Sequence, residues 1–333
     1  MDPLSQGVLG AAAPMSVARR RNIAVIAVMG FLSGMSADLD VLIQSPNDPL
    51  LFLEYHRQFT HSLVFIPFGG LICALLLYFP LARKRNIGYL QTWIYCSLGY
   101  ATHAVLDSCT TYGTQLFWPF STERFAWNTM SIVDPLFTLP ILILVVAGSR
   151  MHKPGLARIA LLWAVIYPTI GLVQRDRAEV LGMELAVQRG HEPIHLSAKP
   201  SFGNLLIWKI VYETESRYYV DAVRVGFGTQ IYPGDSVIKL NLARDFPWLD
   251  RDSQQATDVE RFRWFSGGYL ALDPDRENMV IDVRYSLIPN EIDALWGILL
   301  DPMAGSEAHA AFVTRREMTP ERSQRYRLML IGD

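Results

Sequence analysis

The chain has 333 residues, of which 50% are hydrophobic and 19% are charged, and its formal net charge is −2. A soluble domain carries about 25% charged residues, so the low charge content favours an integral membrane protein. The slightly acidic balance, without a basic stripe or an RNA-binding motif, argues against a nucleic-acid binder. The length accommodates a membrane region and one further domain.

Apolar stretches fill the first half of the chain. A helix needs about 20 residues to span a bilayer, and the second, third and fifth stretches are long enough or nearly so. The first and fourth are short, so they are predicted to be tilted, extended by their flanks or partly buried. We predict an α-helical integral membrane domain of about five membrane helices over residues 23–174, after a cytoplasmic tail over residues 1–22. The stretches are Ile23–Met35, Ser62–Ala82, Tyr89–Leu106, Pro135–Gly148 and Leu156–Val173.

Basic residues predict the orientation of these stretches. Basic residues precede the first stretch (Arg19–Arg21), separate the second from the third (Arg83–Arg85) and lie at the junction of the fourth and fifth (150–158). Because cytoplasmic loops carry an excess of Lys and Arg, these three segments are predicted to be cytoplasmic. The loops over 36–61 and 107–134 then face the other side, together with everything after Val173. We therefore predict a multi-pass protein of the bacterial inner membrane with a periplasmic C-terminal domain.

The second half of the chain has the composition of a soluble domain. Runs rich in β-branched and aromatic residues predict strands, and 273–278 predicts a turn. Residues 175–333 are therefore predicted to form a soluble, β-rich α+β domain, with a charged end over Thr314–Arg327 that is either helical or frayed. The predicted strands are Leu205–Glu213, Arg217–Gly226, Ser236–Asn241, Phe262–Leu272 and Met279–Leu287.

Ionisable side chains concentrate where the predicted topology places one membrane face. The charge bias and the positions of the His and Asp residues are independent observations, and they agree. At a membrane boundary such groups are costly and indicate function by default. The residues are Asp38, Asp40, His56 and His61 in the first outer loop, His103 and Asp107 at the end of the third stretch, and Asp134 in the next loop.

The spacing of these residues indicates metal ligands. His103 and Asp107 are four residues apart, which places both on one helix face, although a buried His paired with a carboxylate for packing has the same spacing. Asp38 and Asp40 follow a helix end, where negative charge opposes the macrodipole, so capping explains them poorly. Histidines hydrogen-bonded to headgroups or water explain the pair His56 and His61 equally well.

Imidazole and carboxylate ligands without thiolate suit zinc, manganese, magnesium or iron. We expect a divalent metal, with zinc favoured and manganese or magnesium as alternatives. Such a metal lowers the pKa of a bound water and polarises a scissile bond. Asp40 and Asp134 are then candidate general bases. Arg57 and Arg124 are candidates for holding a phosphate or a carboxylate, although contact with lipid headgroups or topology anchoring is the simpler interpretation.

Several ordered segments resemble the YdjM-type (LexA-regulated) family of membrane-bound metal-dependent hydrolases. Residues 56–63, HRQFTHSL, resemble the family signature HRG-[IFL]-THS-[LI]. Residues 103–114, HAVLDSCTTYGT, are similar to its HLLLD-x-LT-x-YGT run. The other matching segments are SADLD at 36–40, LFWPFS at 116–121 and IVDPL at 132–136.

The resemblance covers the first half of the chain, to about Val173, and it implies a function. The family is considered distantly similar to the zinc-dependent phospholipase C and P1 nuclease group, which hydrolyses phosphoesters. Gln58 replaces the usual Gly and Ala37 the usual Pro, and neither change removes a ligand. The metal ligands implied by the resemblance are Asp38, His56, His61, His103 and Asp107, and less securely Asp40 and Asp134.

The leading hypothesis is an inner-membrane hydrolase that uses a metal-activated water on a phosphoester or a lipid or envelope component, with Asp40, Asp134 and Arg57 in catalytic roles. Membrane lipids are expected neighbours, and nucleic acid is not an expected partner. The alternative is a metal-stabilised scaffold without catalysis, whose C-terminal domain binds an envelope protein. A transporter is disfavoured, because the centres of the apolar stretches lack ionisable residues.

Overall fold

The computed structural model describes residues 1–332, and these residues form two compact units. The first unit contains Met1–Leu42, Tyr55–Val173 and Phe202–Asn204. The second contains Ile43–Glu54, Gln174–Ser201 and Leu205–Asp333.

The first unit is helical. Short 3₁₀ segments at Ser36–Leu42 and Phe59–His61 connect its longer helices, and a π-helical turn at Tyr78–Ala82 extends the fourth one. The helices are α1 (Pro3–Val17), α2 (Ile23–Met35), α3 (Leu51–Tyr55, which joins the two units along the chain), α4 (Ile66–Leu77), α5 (Tyr89–Ser108), α6 (Pro135–Arg150) and α7 (Pro154–Gln188), of which α7 continues into the second unit.

Three helical segments are long and apolar enough to cross a membrane: Arg20–Leu42, Leu63–Arg85 and Pro154–Gln188. Helix α6 is apolar but shorter than these. The predicted helical N-terminal region is therefore confirmed, whereas the number of about five membrane helices stays a prediction.

Residues 1–22, predicted to be a tail, contain helix α1. Asp2 caps this helix by accepting the backbone N–H of Ser5, and Pro3 occupies the first turn, where its missing N–H costs nothing. Most side chains from Ser5 to Ser16 are buried, and α1 packs against α2, α5 and α6. The N-terminal segment is thus part of the helical core.

Glycines allow α1, α2 and α5 to approach one another closely. A Cβ atom at Gly10 of α1 would lie 2.6 Å from the carbonyl oxygen of Gly30 in α2, and one at Gly34 would lie 2.7 Å from the carbonyl oxygen of Gln6. A Cβ atom at Gly99 of α5 would also lie 2.6 Å from the Gly30 oxygen. Small residues of this kind permit backbone contact between helices in membranes.

The second unit is rich in antiparallel β-sheet, as predicted. One sheet has the order β1-β2-β3-β4, with β5 also paired to β3, and the other has the order β6-β7-β8-β9. A buried apolar cluster that includes Val211, Val220, Ala271 and Ile281 draws on both sheets. The strands are β1 (His195–Pro200), β2 (Ile207–Glu213), β3 (Arg217–Val225), β4 (Thr229–Tyr232), β5 (Ser236–Ile238), β6 (Leu270–Leu272), β7 (Met279–Asp282), β8 (Trp296–Leu299) and β9 (Ala311–Thr314).

The strand predicted at Phe262–Leu272 is largely wrong. Helix α9 (Gln254–Phe265), which follows the short helix α8 (Leu242–Asp245), covers the first part, and only β6 is extended. Ser253 caps α9, whose buried face repeats at helical spacing. The charged end of the chain is helical over α10 (Pro320–Ile331).

The glycine contact between α2 and α5 generates a prediction. Gly99→Ala should destabilise the protein by about 1–3 kcal/mol, because the new methyl group meets backbone atoms of Gly30 that no side-chain rotation can move. The melting temperature in detergent, followed by fluorescence-detected size exclusion, measures the effect.

Gly155→Ala is the matched control, because a Cβ atom there meets no atom within 4 Å. Alanine favours a helix over glycine, so this variant should be neutral or slightly stabilised. Equal melting temperatures for the two variants would contradict the proposed close packing.

Candidate metal centre

Three chain segments deliver ionisable side chains to one buried cluster in the helical unit. The 3₁₀ helix that follows α2 carries Asp38, the 3₁₀ turn before α4 carries His61, and the last turns of α5 carry His103 and Asp107. The side chains of His61, His103 and Asp107 have no exposed surface, whereas that of Asp38 is 25% exposed. We call these four residues the buried cluster.

The ligand atoms of the buried cluster surround one point. His61 Nε2 lies 3.4 Å from Asp38 Oδ1 and 3.2 Å from Asp107 Oδ2. His103 Nε2 lies 3.3 Å from Asp38 Oδ1 and 3.6 Å from Asp107 Oδ2. Zinc bonds of about 2.1 Å place tetrahedral ligands about 3.4 Å apart, so these separations have the size that a tetrahedral metal site requires.

Each imidazole is oriented by a contact at its other nitrogen. His103 Nδ1 lies 2.6 Å from the carbonyl oxygen of Gly34, to which it donates, and this bond leaves Nε2 as the nitrogen that faces the cluster. His61 Nδ1 lies 3.1 Å from Asp40 Oδ2 and 2.9 Å from the hydroxyl of Thr60. Partners of this kind fix the ring orientation of metal-binding histidines.

Asp107 is held on both carboxylate oxygens. Arg57 Nε lies 3.1 Å from Oδ2, and Gln6 Nε2 donates to Oδ1 at 2.9 Å. The α-amino group of Met1 also lies 2.5 Å from Oδ1. The three carboxylates of Asp38, Asp40 and Asp107 outnumber the single guanidinium of Arg57, so the site retains negative charge that a proton or a metal cation offsets.

The buried atoms of the cluster fit a metal ion. Among residues 1–332, His61 Nε2, His103 Nε2 and Asp107 Oδ2 are buried without a partner in hydrogen-bond geometry, and Asp107 Oδ2 has the ion pair with Arg57 Nε described above. An unsatisfied buried polar atom costs about 1–3 kcal/mol, and three such atoms that face one another are expensive unless a cation binds between them. His and Asp side chains are ligands of zinc and manganese. The residues present therefore fit a divalent metal.

The electrostatics of His61, which precedes the span that begins at Leu63, show what a metal would replace. Burial lowers the pKa of His61, but its contacts with Asp107, Asp38 and Asp40 outweigh burial and raise the pKa to about 10. Without metal the imidazole is therefore protonated near neutral pH, and a divalent cation would bind in place of that proton.

A second group lies beside the buried cluster and shares Asp38 with it. Ligand atoms of Asp38, Asp40 and His56 all lie within 4.8 Å of one another. His56 Nδ1 lies 2.8 Å from Asp40 Oδ1, and the His56 side chain is 32% exposed. This group is therefore partly open to its surroundings, unlike the buried cluster.

The residues predicted to be catalytic differ in their positions. Asp40 contacts His56, the backbone N–H of Arg57, Thr60 and His61, so it orients neighbouring groups. Arg57 is buried against Asp107 and also donates to the hydroxyl of Thr110. It adopts a positive φ of 63°, a backbone conformation that is uncommon outside glycine.

Asp134 and Arg124 are placed by other contacts. Asp134 caps α6 and accepts from the backbone N–H of Leu136 and the hydroxyl of Tyr167, so the structure does not bring it into either ligand group. Arg124 donates to the carbonyl oxygens of Gly113 and His56 at 3.4 Å each. Asp134 thus acts as a helix cap here, and Arg124 supports the loop that carries His56.

Sequence reasoning missed the contributions of α1 and of the backbone. The role of Gln6 was missed because residues 1–22 are predicted to be a tail, although Asp2 followed by Pro3 is a helix-start signal. The carbonyl oxygen of Gly34 carries no signal in the residue type at all. Ser62 accepts the backbone N–H of Phe65 in the segment that leads into α4, and Thr60 donates to Asp40.

Comparisons with known proteins agree with the resemblance noted from the motifs. The model of the family described as YdjM inner membrane protein matches residues 1–178. The uncharacterized protein YfhP of Bacillus subtilis is 26% identical over 201 residues, which are 57% of this chain and 56% of YfhP. The inner membrane protein YbcI of Escherichia coli is 30% identical over 143 residues, 40% of this chain and 80% of YbcI. No solved structure matches.

The matched region is the N-terminal half of the chain. The chain spans little more than half the length of YfhP, and the family match ends at residue 178, before β1. The comparisons concern the region that carries the ligands, and the likeness to the zinc-dependent phospholipase C and P1 nuclease group stays a prediction.

The raised pKa of His61 predicts how metal binding depends on pH. Because the imidazole keeps its proton up to about pH 10, metal uptake at lower pH must release it, and the apparent affinity for Zn²⁺ should rise between pH 6 and pH 8. We expect about a tenfold gain per pH unit for each proton displaced. Isothermal titration calorimetry in buffers of different ionisation enthalpy counts the released protons, and a pH-independent affinity would contradict this assignment.

Proposed function

The chain belongs to the YdjM inner membrane protein family, and we propose that it acts as a metal-dependent hydrolase of phosphoester or related bonds in lipid or envelope substrates. The observation that carries this proposal is the convergence of His61 Nε2, His103 Nε2 and Asp107 Oδ2, all buried and without a partner in hydrogen-bond geometry within residues 1–332, beside Asp38. Zinc is the favoured metal, with manganese or magnesium as alternatives.

Different residues of this chain would bind the metal, orient its ligands and face the substrate. The buried cluster would hold the metal, which would supply Lewis-acid polarisation and a water of lowered pKa. Asp40 and the Gly34 carbonyl orient the two imidazoles, and Arg57 orients Asp107. His56 and Asp38 lie at the partly exposed side, where a substrate would approach.

The membrane supplies the surroundings of the proposed reaction. Asp38 lies near the end of the candidate span Arg20–Leu42, and Leu39 and Leu42 beside it are exposed apolar side chains. A site in this position favours a substrate that is itself part of the membrane or the envelope. The remaining parts of the proposal are a multi-pass topology, a periplasmic second unit and an envelope protein partner for that unit.

The second candidate is a metal-stabilised scaffold without catalysis. It is favoured by one observation: the buried cluster offers four ligands at tetrahedral spacing, and closed four-ligand sites are typical of structural zinc. In that case the metal would tie the end of α2 to α5, and the second unit would carry the function through a partner.

The metal content tests the proposal first. Wild-type protein, purified in detergent without chelators, should contain transition metal in a whole-number ratio to the chain, and His61→Ala and His103→Ala should lose at least about 90% of it. The physical reason is that each variant deletes a ligand from the interior of the cluster. Mass spectrometry of the metal measures the content, and size exclusion shows whether each variant is folded.

His195→Ala is the matched control, because that imidazole is 72% exposed on β1, outside both ligand groups. It should keep the full metal content. A screen of soluble phosphodiesters and phospholipids then separates the two candidates: hydrolysis that falls with metal content supports the hydrolase, whereas metal-loaded, inert protein supports the scaffold.

A reporter fusion tests the proposed topology. Alkaline phosphatase folds only in the periplasm because it needs disulfides, so its fusion after Asp333 should be active in a bacterial host. A fusion in the segment Arg83–Arg85 should be inactive. The reverse pattern would contradict the orientation predicted from the positive charges.

A further inference from the structure

The group formed by Asp38, Asp40 and His56 has the features of a second metal site. We propose that a second divalent cation binds these three side chains, with Asp38 bridging it to the metal of the buried cluster. The inference rests on the first part of the proposed function, metal binding by the buried cluster, and deepens it by giving the centre two metals and an open face.

Asp38 is suited to bridging. Both of its contacts with the buried cluster, to His61 Nε2 and to His103 Nε2, are made by Oδ1. Neither contact uses Oδ2, so this second oxygen is left for a second cation. Two metals that share a carboxylate lie about 3.5–4 Å apart in hydrolytic centres.

Asp40 is preorganised to present one oxygen. Its Oδ2 accepts the backbone N–H of Arg57 at 3.0 Å and the hydroxyl of Thr60 at 2.8 Å, and lies 3.1 Å from His61 Nδ1. These contacts fix the carboxylate and leave Oδ1 facing His56. A ligand that is already held in place pays less entropy when a metal binds.

The separation between Asp40 and His56 fits two neighbouring ligands. Asp40 Oδ1 and His56 Nδ1 lie 2.8 Å apart. Bonds of about 2.1 Å place adjacent octahedral ligands about 3.0 Å apart, so the two atoms have nearly the spacing of one coordination edge.

The two groups differ in what they leave open. The buried cluster supplies four protein ligands, as closed sites do, whereas the second group supplies three and is partly exposed at Asp38 and His56. Catalytic metal sites have three protein ligands and an open position for water or substrate. The open coordination position for water or substrate therefore lies at the metal of the second group, and the metal of the buried cluster holds the centre in place.

Metal stoichiometry tests this inference. Full-length wild-type protein saturated with Mn²⁺ should bind two ions per chain, measured by mass spectrometry after removal of free metal, and its electron paramagnetic resonance spectrum should show coupling between the two ions. His56→Ala should bind one ion and lose the coupling. His56→Gln keeps the polar volume of the half-exposed side chain and should also bind one ion.

The controls separate the possible failures. His195→Ala should keep two coupled ions, and size exclusion must show that both His56 variants fold as the wild type does. One ion in the wild type, unchanged in His56→Ala, would overturn the second site but leave the proposed function standing, with His56 and Asp40 as a proton-transfer pair. No bound ion in the wild type would overturn both.

Discussion

The cost of burying charge at the end of apolar helices governs the rest of the helical unit. Asp107, His61 and His103 have no exposed side-chain surface, and a buried charged group is costly unless it is paired and hydrogen-bonded. The surrounding structure offsets this cost group by group: Arg57 and Gln6 contact Asp107, Asp40 contacts His61, and a backbone carbonyl accepts from His103. The atoms that these partners leave without a hydrogen bond, among them His61 Nε2 and His103 Nε2, face one another inside the cluster. The contacts that offset the buried charge therefore also produce the geometry of the candidate metal site.

The glycine contacts explain how a backbone group becomes part of the site. Gly30 and Gly34 lie on α2 where α1 and α5 approach it, and the carbonyl oxygen of Gly34 accepts from His103. Side chains at these positions would push the helices apart and separate that carbonyl from the imidazole. Helix packing and ligand orientation are therefore one structural feature, set by residues that carry no functional group.

The sequence predicted the helical and β-rich halves and the residues that meet in the two ligand groups, because apolar length, strand composition and i, i+4 spacing are local signals. Helix α1 was missed because its apolar residues repeat only weakly at helical spacing, although Asp2 and Pro3 mark the start of a helix. The strand expected at Phe262–Leu272 was wrong because aromatic residues suggested extended structure where Ser253 starts a helix. Asp40 orients neighbouring groups of the site, whereas Asp134 caps α6 and accepts from Tyr167. These roles depend on tertiary contacts, which the spacing of residues in the sequence does not predict.

The wide separation of the cluster residues along the chain has a consequence for biogenesis. Asp38 leaves the ribosome 69 residues before Asp107, and two further helical segments are made between them. The carboxylates of Asp38 and Asp40 must therefore remain hydrated or protonated until α5 has formed. The cluster is complete only once α5 has formed, so under the proposed function a metal would bind after these helices have assembled and would then hold them together.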